Sequence, residues 1–275
     1  MRPIRTVAVF PTMFTLGNLV CGFFAIVVAS RVDKPASALM DSLDVRNVMV
    51  AGWLIFLGMV FDALDGYVAR LSKTSSDFGA QLDSLCDAVT FGVAPGFLLV
   101  KMCPRFTSLD HLLYDDAVWV IAAAFAACAA LRLARFNVET GEEDDHLSFS
   151  GLPTPAAAAA IAGIAIMFNR LHSVERPLAY AEQIEAAVQT VLPFFAVLLA
   201  LLMVSRIPYP HVTNQIFRGQ RSFGHVVAVV FALVAVMVVP SFSLPIVCCA
   251  FALYGPVRLI WQKATHRTEQ EEPLF

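Results

Sequence analysis

Charge is scarce in this 275-residue chain: Asp, Glu, Lys and Arg make up 15% of it, against roughly 25% in an ordinary soluble domain. With 58% hydrophobic residues and a mean hydropathy of +0.70, too few polar groups remain to cover a soluble globule of this size. A soluble enzyme and a disordered protein are thereby excluded. Positive charge is not in excess either. Lys and Arg number 19 against 22 Asp and Glu, a net charge of −3, so there is no basic footprint for nucleic acid. No Cys-x-x-Cys pair occurs among Cys21, Cys86, Cys103, Cys128, Cys248 and Cys249, and five of these six lie inside apolar stretches. They read as small buried hydrophobes and not as a disulfide framework. The six histidines are scattered, and no His/Cys metal cluster can be drawn from them. Internal repeats and low-complexity segments are absent. What remains is an integral membrane protein.

A hydrocarbon core about 30 Å thick needs about 20 apolar residues per helix. By that measure eight stretches qualify: Pro11–Ser30, Val48–Arg70, Gly79–Val100, Ala117–Phe136, Leu152–Phe168, Val188–Val204, Gly224–Val239 and Leu244–Trp261. The expected fold is an all-α polytopic bundle of about eight transmembrane helices in one domain, residues 1–275. Its catalytic core would run from about residue 11 to 210, and the last two helices (about 224–261) would form a hairpin turning at Pro240-Ser-Phe-Ser. The first stretch is read as a retained helix and not as a signal peptide, because seven more apolar segments follow it. With the N-terminus inside, 12 of the 19 Lys and Arg fall in cytoplasmic loops and seven outside, which favours both termini in the cytoplasm. The acidic run Glu142–Asp145 reads as a solvated loop, and Glu175–Ala187 as a partly amphipathic stretch near the outer face.

The informative residues are four aspartates. Asp62 and Asp65 are three apart, with Ala69 four further on, so they share a helix face. Gly79, Asp83 and Asp87 step by four and share another. The short link from Leu71 to Phe78 makes the two helices antiparallel neighbours, so two carboxylates on one can meet two on the next, at the cytoplasmic end. An ionised Asp at a membrane-helix centre costs about 2.5–3.5 kcal/mol, and less near the interface. Four together repel one another as well. Divalent cations are the natural compensation. Hard oxygen ligands suit Mg²⁺ or Mn²⁺, and one or two such ions make a cradle for phosphate oxygens. Gly66, Ala69 and Gly79 lie on the same faces and serve either close ligand approach or helix packing.

Asp62-x-x-Asp65-Gly66-x-x-Ala69-Arg70, eight residues, then Gly79-x-x-x-Asp83-x-x-x-Asp87 resembles the signature of the CDP-alcohol phosphotransferase family at every fixed position. Five further segments are similar to the bacterial membrane-bound phosphatidylserine synthase branch. They are Pro11–Asn18 (with Thr12 where an Asn is expected), Asp77–Pro95, Arg132–Asn137, Phe149–Pro155 and Ser205–Pro210. The resemblance implies transfer of a phosphatidyl group from CDP-diacylglycerol to the hydroxyl of L-serine, giving phosphatidylserine and CMP with Mg²⁺ or Mn²⁺. It implies that Asp62, Asp65 and Asp83 ligate metal, and that Asp87 is the general base and a further ligand. Gly66, Ala69, Arg70 and Gly79 would border the cytidine nucleotide. A homodimer in the cell membrane is also implied, with no nucleic-acid partner.

Serine carries a carboxylate, so its pocket needs a cation. Arg135 and Asn137, ahead of Arg132, are the candidates for acceptor binding, and Arg206 is a weaker one. Thr15 and Asn18 read as interhelical hydrogen-bonding residues, with nucleotide contact as the alternative. Two other readings compete. A sibling transferase would use glycerol phosphate, inositol phosphate or choline as acceptor. A cation transporter would use the aspartates as an ion path and would need acidic groups spread through the membrane depth.

Overall fold

The computed structural model describes residues 9–33, 42–72, 77–103, 112–139, 149–172, 180–209 and 238–269. Nearly all of them are helical. The order is α1 (Val9–Ser30), α2 (Ser42–Ser72), α3 (Asp77–Asp87), a π-helical segment (Ala88–Val93), α4 (Ala94–Met102), α5 (Leu112–Glu139), β1 (Phe149–Ser150), α6 (Thr154–Leu171), α7 (Ala181–Val204), β2 (Pro208–Tyr209) and α8 (Pro240–Glu269). Counting α3 through α4 as one span, seven helices among the described residues are long and apolar enough to cross a membrane. Of the expected span Gly224–Val239, all but the last two residues lie outside the described residues, as does the acidic run Glu142–Asp145.

α6 is the central rod. It is rich in alanine, and most of its length from Ala157 to Ile166 is buried. Small side chains allow α2 and α8 to approach it closely. The other spans keep large apolar residues on the outside, among them Phe23, Phe24, Trp53, Trp119 and Phe194. In water such a surface would be an aggregation liability; in a bilayer it is the lipid-facing side.

Two expectations need correction. The third apolar stretch is not one uniform α-helix: after Asp87 the turn widens, and the Ala94 N–H reaches back to the Val89 carbonyl. Pro95, which lacks an N–H and cannot close an α-turn, sits just beyond. Secondly, Pro240-Ser-Phe-Ser is no hairpin turn. It is the first turn of α8, with the Phe242 and Ser243 N–H groups bonded to the Val239 carbonyl; proline is tolerated there because its missing N–H has no helical partner. The stretch Glu175–Ala187, as far as it is described, is the start of a membrane-length helix. It opens α7, and Glu185 is buried with 1% exposure. Glu185 and Gln189 are four apart on one face, where Gln189 Nε2 donates to Glu185 Oε1 at 3.1 Å and His172 Nε2 stands 3.3 Å from Glu185 Oε2. A polar face can turn inward when its groups meet partners there.

Two sequence segments more than 50 residues apart form one local lock. Phe149 pairs with Tyr209 and Ser150 with Pro208 in a short antiparallel bridge. The Gly151 N–H then donates to the Ile207 carbonyl at 2.9 Å, and the Leu152 N–H to Leu202 at 3.0 Å. Tyr209, fully buried, donates its hydroxyl to the Ala252 carbonyl at 2.8 Å and so ties α8 to the lock. Burial pushes the Tyr209 phenol up to about 12, so it remains a donor at any physiological pH. Gly151 has φ +88°, and a Cβ there would press against the Met203 and Ser205 carbonyl oxygens. Gly151→Ala is therefore expected to destabilise the protein by about 1–3 kcal/mol. The check is a fall in unfolding midpoint in detergent, set beside an unchanged midpoint for a conservative change at a lipid-facing position such as Phe194→Leu.

Candidate active site

The carboxylates are brought together by helix periodicity and one short connection. Asp62 and Asp65 lie toward the C-terminal end of α2, and Asp83 and Asp87 in the second half of α3. Asp62, Asp83 and Asp87 each offer an oxygen, and these oxygens lie within 4.8 Å of one another. Asp62 and Asp83 are half-buried, and Asp87 is 7% exposed. Three carboxylates at that separation in an apolar bundle repel strongly. An all-oxygen donor set of this kind fits a hard divalent cation, so the three residues could hold a metal ion. Asp65, three residues after Asp62, is outside that triplet, and its Oδ2 accepts from the Thr15 hydroxyl.

α1 supplies the polar partners that the expectation had left between packing and nucleotide contact. Thr15 and Asn18 are both buried. Asn18 Nδ2 donates to Asp87 Oδ1 at 2.8 Å. Thr90, in the π segment, donates its hydroxyl to the Asn18 carbonyl at 3.0 Å. This close approach needs two glycines: a Cβ on Gly22 would land on the Thr90 side chain, and one on Gly58 would come 2.7 Å from Thr90 Cγ2 and 2.9 Å from Asn18 Oδ1. Their spacing alone could have flagged Thr15 and Asn18, since two polar residues three apart in an apolar helix share a face. Nothing in the sequence says which helix that face meets.

On α5, Arg132 is half-buried and its charge interacts with that of Asp87. Its Nη1 donates to Thr154 Oγ1 at 3.2 Å, and the guanidinium lies 5.7 Å from the Phe136 ring centroid. Asn137 Nδ2 donates to Ser84 Oγ at 2.9 Å, next along α3 from Asp83. Arg135 is half-buried one turn from Arg132. Of the residues expected for the acceptor, Arg132 is thus bonded to the start of α6 and Asn137 to α3. Arg206 is exposed beside the β1–β2 lock.

Among the small residues, Gly66 is exposed on α2, and a Cβ built on it meets nothing within 4 Å. It is not a packing point within the described bundle. Gly79 is half-buried near the start of α3. Ala69 and Arg70 continue the α2 backbone, but their side chains lie outside the described residues.

A membrane-spanning helical bundle with a cation-fitting carboxylate cluster at one end is the class that the fold and site define. Residues 8–254 match the model of the CDP-alcohol phosphatidyltransferase family, and the chain belongs to that family. It is 33% identical over 260 residues to the CDP-diacylglycerol–serine O-phosphatidyltransferase of Methanocaldococcus jannaschii, covering 94% of this chain and 98% of that protein. The protein of that name from Helicobacter pylori is 31% identical over 259 residues, 94% of each chain. That of Bacillus subtilis is 30% identical over 201 residues, 73% of this chain and 89% of that one.

Because Gly66 faces open space, Gly66→Leu is expected to leave the unfolding midpoint within the range of about 0.5 kcal/mol usual for exposed substitutions. The same change is expected to weaken CMP binding at least about tenfold by filling that space. Isothermal titration with CMP beside a thermal melt separates the two effects; a lowered midpoint with unchanged CMP binding would make Gly66 a packing residue after all.

Proposed function

We propose that the protein transfers the phosphatidyl group of CDP-diacylglycerol to the hydroxyl of L-serine, forming phosphatidylserine and releasing CMP. The observation that carries this reading is the convergence of Asp62, Asp83 and Asp87 from the two helices that bear the family signature. Relatives named for that reaction, matched over most of the chain, support it. Asp62, Asp83 and Asp87 would hold a metal ion, with Asp65 as a further ligand from the same turn of α2 as Asp62. When bound, one or two Mg²⁺ or Mn²⁺ ions neutralise the pyrophosphate and the charge that grows on departing CMP.

The chain's own residues do the rest. Asp87 accepts the proton of the serine hydroxyl as that oxygen bonds to the phosphorus carrying the lipid and the bond to CMP breaks. Arg132, beside Asp87, is placed to pair with the serine carboxylate, which lies only two carbons from the reacting hydroxyl. Its hydrogen bond to Thr154 aims it. Arg135 and Asn137 complete the acceptor side. Gly66, Ala69, Arg70 and Gly79 border the cytidine nucleotide, with the open space at Gly66 admitting it. The family resemblance implies a homodimer, and the Lys and Arg bias favours this end of the bundle at the cytoplasmic face of the cell membrane, with both termini inside. There the CDP-lipid head group and soluble serine are both within reach.

The transporter alternative needs acidic groups spread along the bundle. Glu185 is a buried acid outside the aspartate cluster. It sits by His172 at the far end of α6, about 27 Å from Thr154 at 1.5 Å per residue, and is engaged by Gln189. It supplies no continuation of the aspartate cluster.

Radiolabelled serine, CDP-diacylglycerol and Mn²⁺ with detergent-solubilised protein are expected to yield labelled lipid and CMP in equal amounts. Product only with another acceptor would replace serine and keep the transferase; no metal-dependent CMP release with any acceptor would remove the transferase. In the same assay Asp87→Asn is expected to keep CDP-lipid binding and lose turnover by about 10²–10⁴-fold. Asp83→Asn is expected to raise the Mn²⁺ requirement as well. Arg132→Ala is expected to raise the serine KM by about tenfold or more with little change in the CDP-lipid KM, and an unchanged serine KM would take Arg132 out of the acceptor pocket.

A further inference from the structure

We infer that Thr15 and Asn18 of α1 are positioning residues: their hydrogen bonds set the orientation of the Asp65 and Asp87 carboxylates for metal binding and transfer. The inference rests on the phosphatidyl-transfer reading and concerns groups which that reading leaves without a role. The torsion that turns a carboxylate about its own axis is broad and nearly two-fold, so an Asp rotamer does not by itself aim its oxygens. A donor on one oxygen does. Asn18 Nδ2 meets Asp87 Oδ1 at 2.8 Å, and the Thr15 hydroxyl meets Asp65 Oδ2. An ionised carboxylate only accepts, so it is the amide nitrogen of Asn18 that faces Asp87. The two residues are three apart, and one helix face thus grips one carboxylate on α2 and one on α3.

Asn18 is itself held. Thr90 bonds to its carbonyl, and the missing Cβ of Gly58 leaves room for its side-chain oxygen. That oxygen, Asn18 Oδ1, is fully buried and has no hydrogen-bond partner among the described residues. An asparagine kept only to pack would carry this cost without return, where a leucine of similar size would not. The Nδ2 bond to Asp87 is what the asparagine supplies and a leucine cannot. Partners of this kind behind metal-binding groups typically change affinity or activity by 10–100-fold when removed.

The test uses the full chain in detergent with Asn18→Ser, too short to span to Asp87, and Thr15→Val, of the same shape but without the hydroxyl. Steady-state CMP release is expected to show kcat down about 10–100-fold with the CDP-diacylglycerol KM within about twofold. Mn²⁺ binding without substrate, followed by electron paramagnetic resonance, is expected to weaken about tenfold or more in each variant. In an Asp87→Asn background, Asn18→Ser is expected to weaken Mn²⁺ binding no further, because its effect passes through Asp87. Wild-type kcat and Mn²⁺ binding in both variants would overturn the inference. So would an Asn18→Ser effect on Mn²⁺ equally large in the Asp87→Asn background. If the wild type releases no CMP, the transferase reading fails, while the Mn²⁺ comparison still decides whether α1 orients the carboxylates.

Discussion

Repulsion among carboxylates at one end of an apolar bundle is the constraint from which the arrangement of the helices follows. Asp62, Asp83 and Asp87 present oxygens within 4.8 Å of one another where little water screens them. Left to themselves, such groups would drive α2 and α3 apart. The chain opposes this in three ways. α1 ties both helices through Thr15 and Asn18. α5 contributes a half-buried cation, Arg132, whose charge offsets part of that on Asp87. The residual negative charge is met most economically by a hard cation from outside. Affinity for that cation and the integrity of this end of the bundle are thus two aspects of one balance.

The remote parts of the fold can be read as supports for that end. The π segment directly after Asp87 carries Thr90 into a slot between α1 and α2 that exists only because positions 22 and 58 have no side chain. A wider turn at this point changes the azimuth of everything that follows, so Asp87 can face the cluster while Phe91 enters the core. On the other flank, the β1–β2 bridge fixes where α6 begins, and hence where Thr154 stands when it accepts from Arg132. The Phe149–Pro155 and Ser205–Pro210 segments, which carry no candidate catalytic side chain beyond Arg206, are explained by this mutual bracing.

How legible was this in the amino-acid order? The carboxylate cluster was, because helical periodicity determines which residues share a face and a short link determines which two helices are adjacent. The near neighbours of the cluster were only half legible. Asn18 and Thr15 are visible as polar residues in an apolar helix, but their partners depend on the rotation and depth of α1 against α2 and α3. That register is decided by close packing at Gly22 and Gly58, and no local pattern encodes it. Apolar length found the seven described spans but not their ends. The ends of α7 and α8 are set by partners for polar groups: Glu185 is admitted because Gln189 and His172 await it, and Pro240 begins a helix because a first turn asks nothing of its nitrogen.

The two places where the described bundle buries acid, around Glu185 and around the aspartates, show how satisfaction separates architecture from chemistry. Glu185 accepts from Gln189 and abuts a histidine, so its environment is supplied by its own chain. At the aspartate end the same accounting does not close. Three carboxylates face one another, one donor from Asn18 reaches Asp87, and one guanidinium stands nearby that is also bonded to Thr154. A site that the described residues leave short of positive charge, while spending a buried asparagine and two glycines on holding it open, is one that a hard cation fits. Beside it a Cβ on Gly66 would meet nothing within 4 Å among the described residues, which gives a flat, negatively charged ligand a way in to the same cation. Charge deficit and open approach at one place are what a nucleotide-diphosphate lipid needs, and neither feature is found around Glu185, with 1% exposure, at the far end of α6.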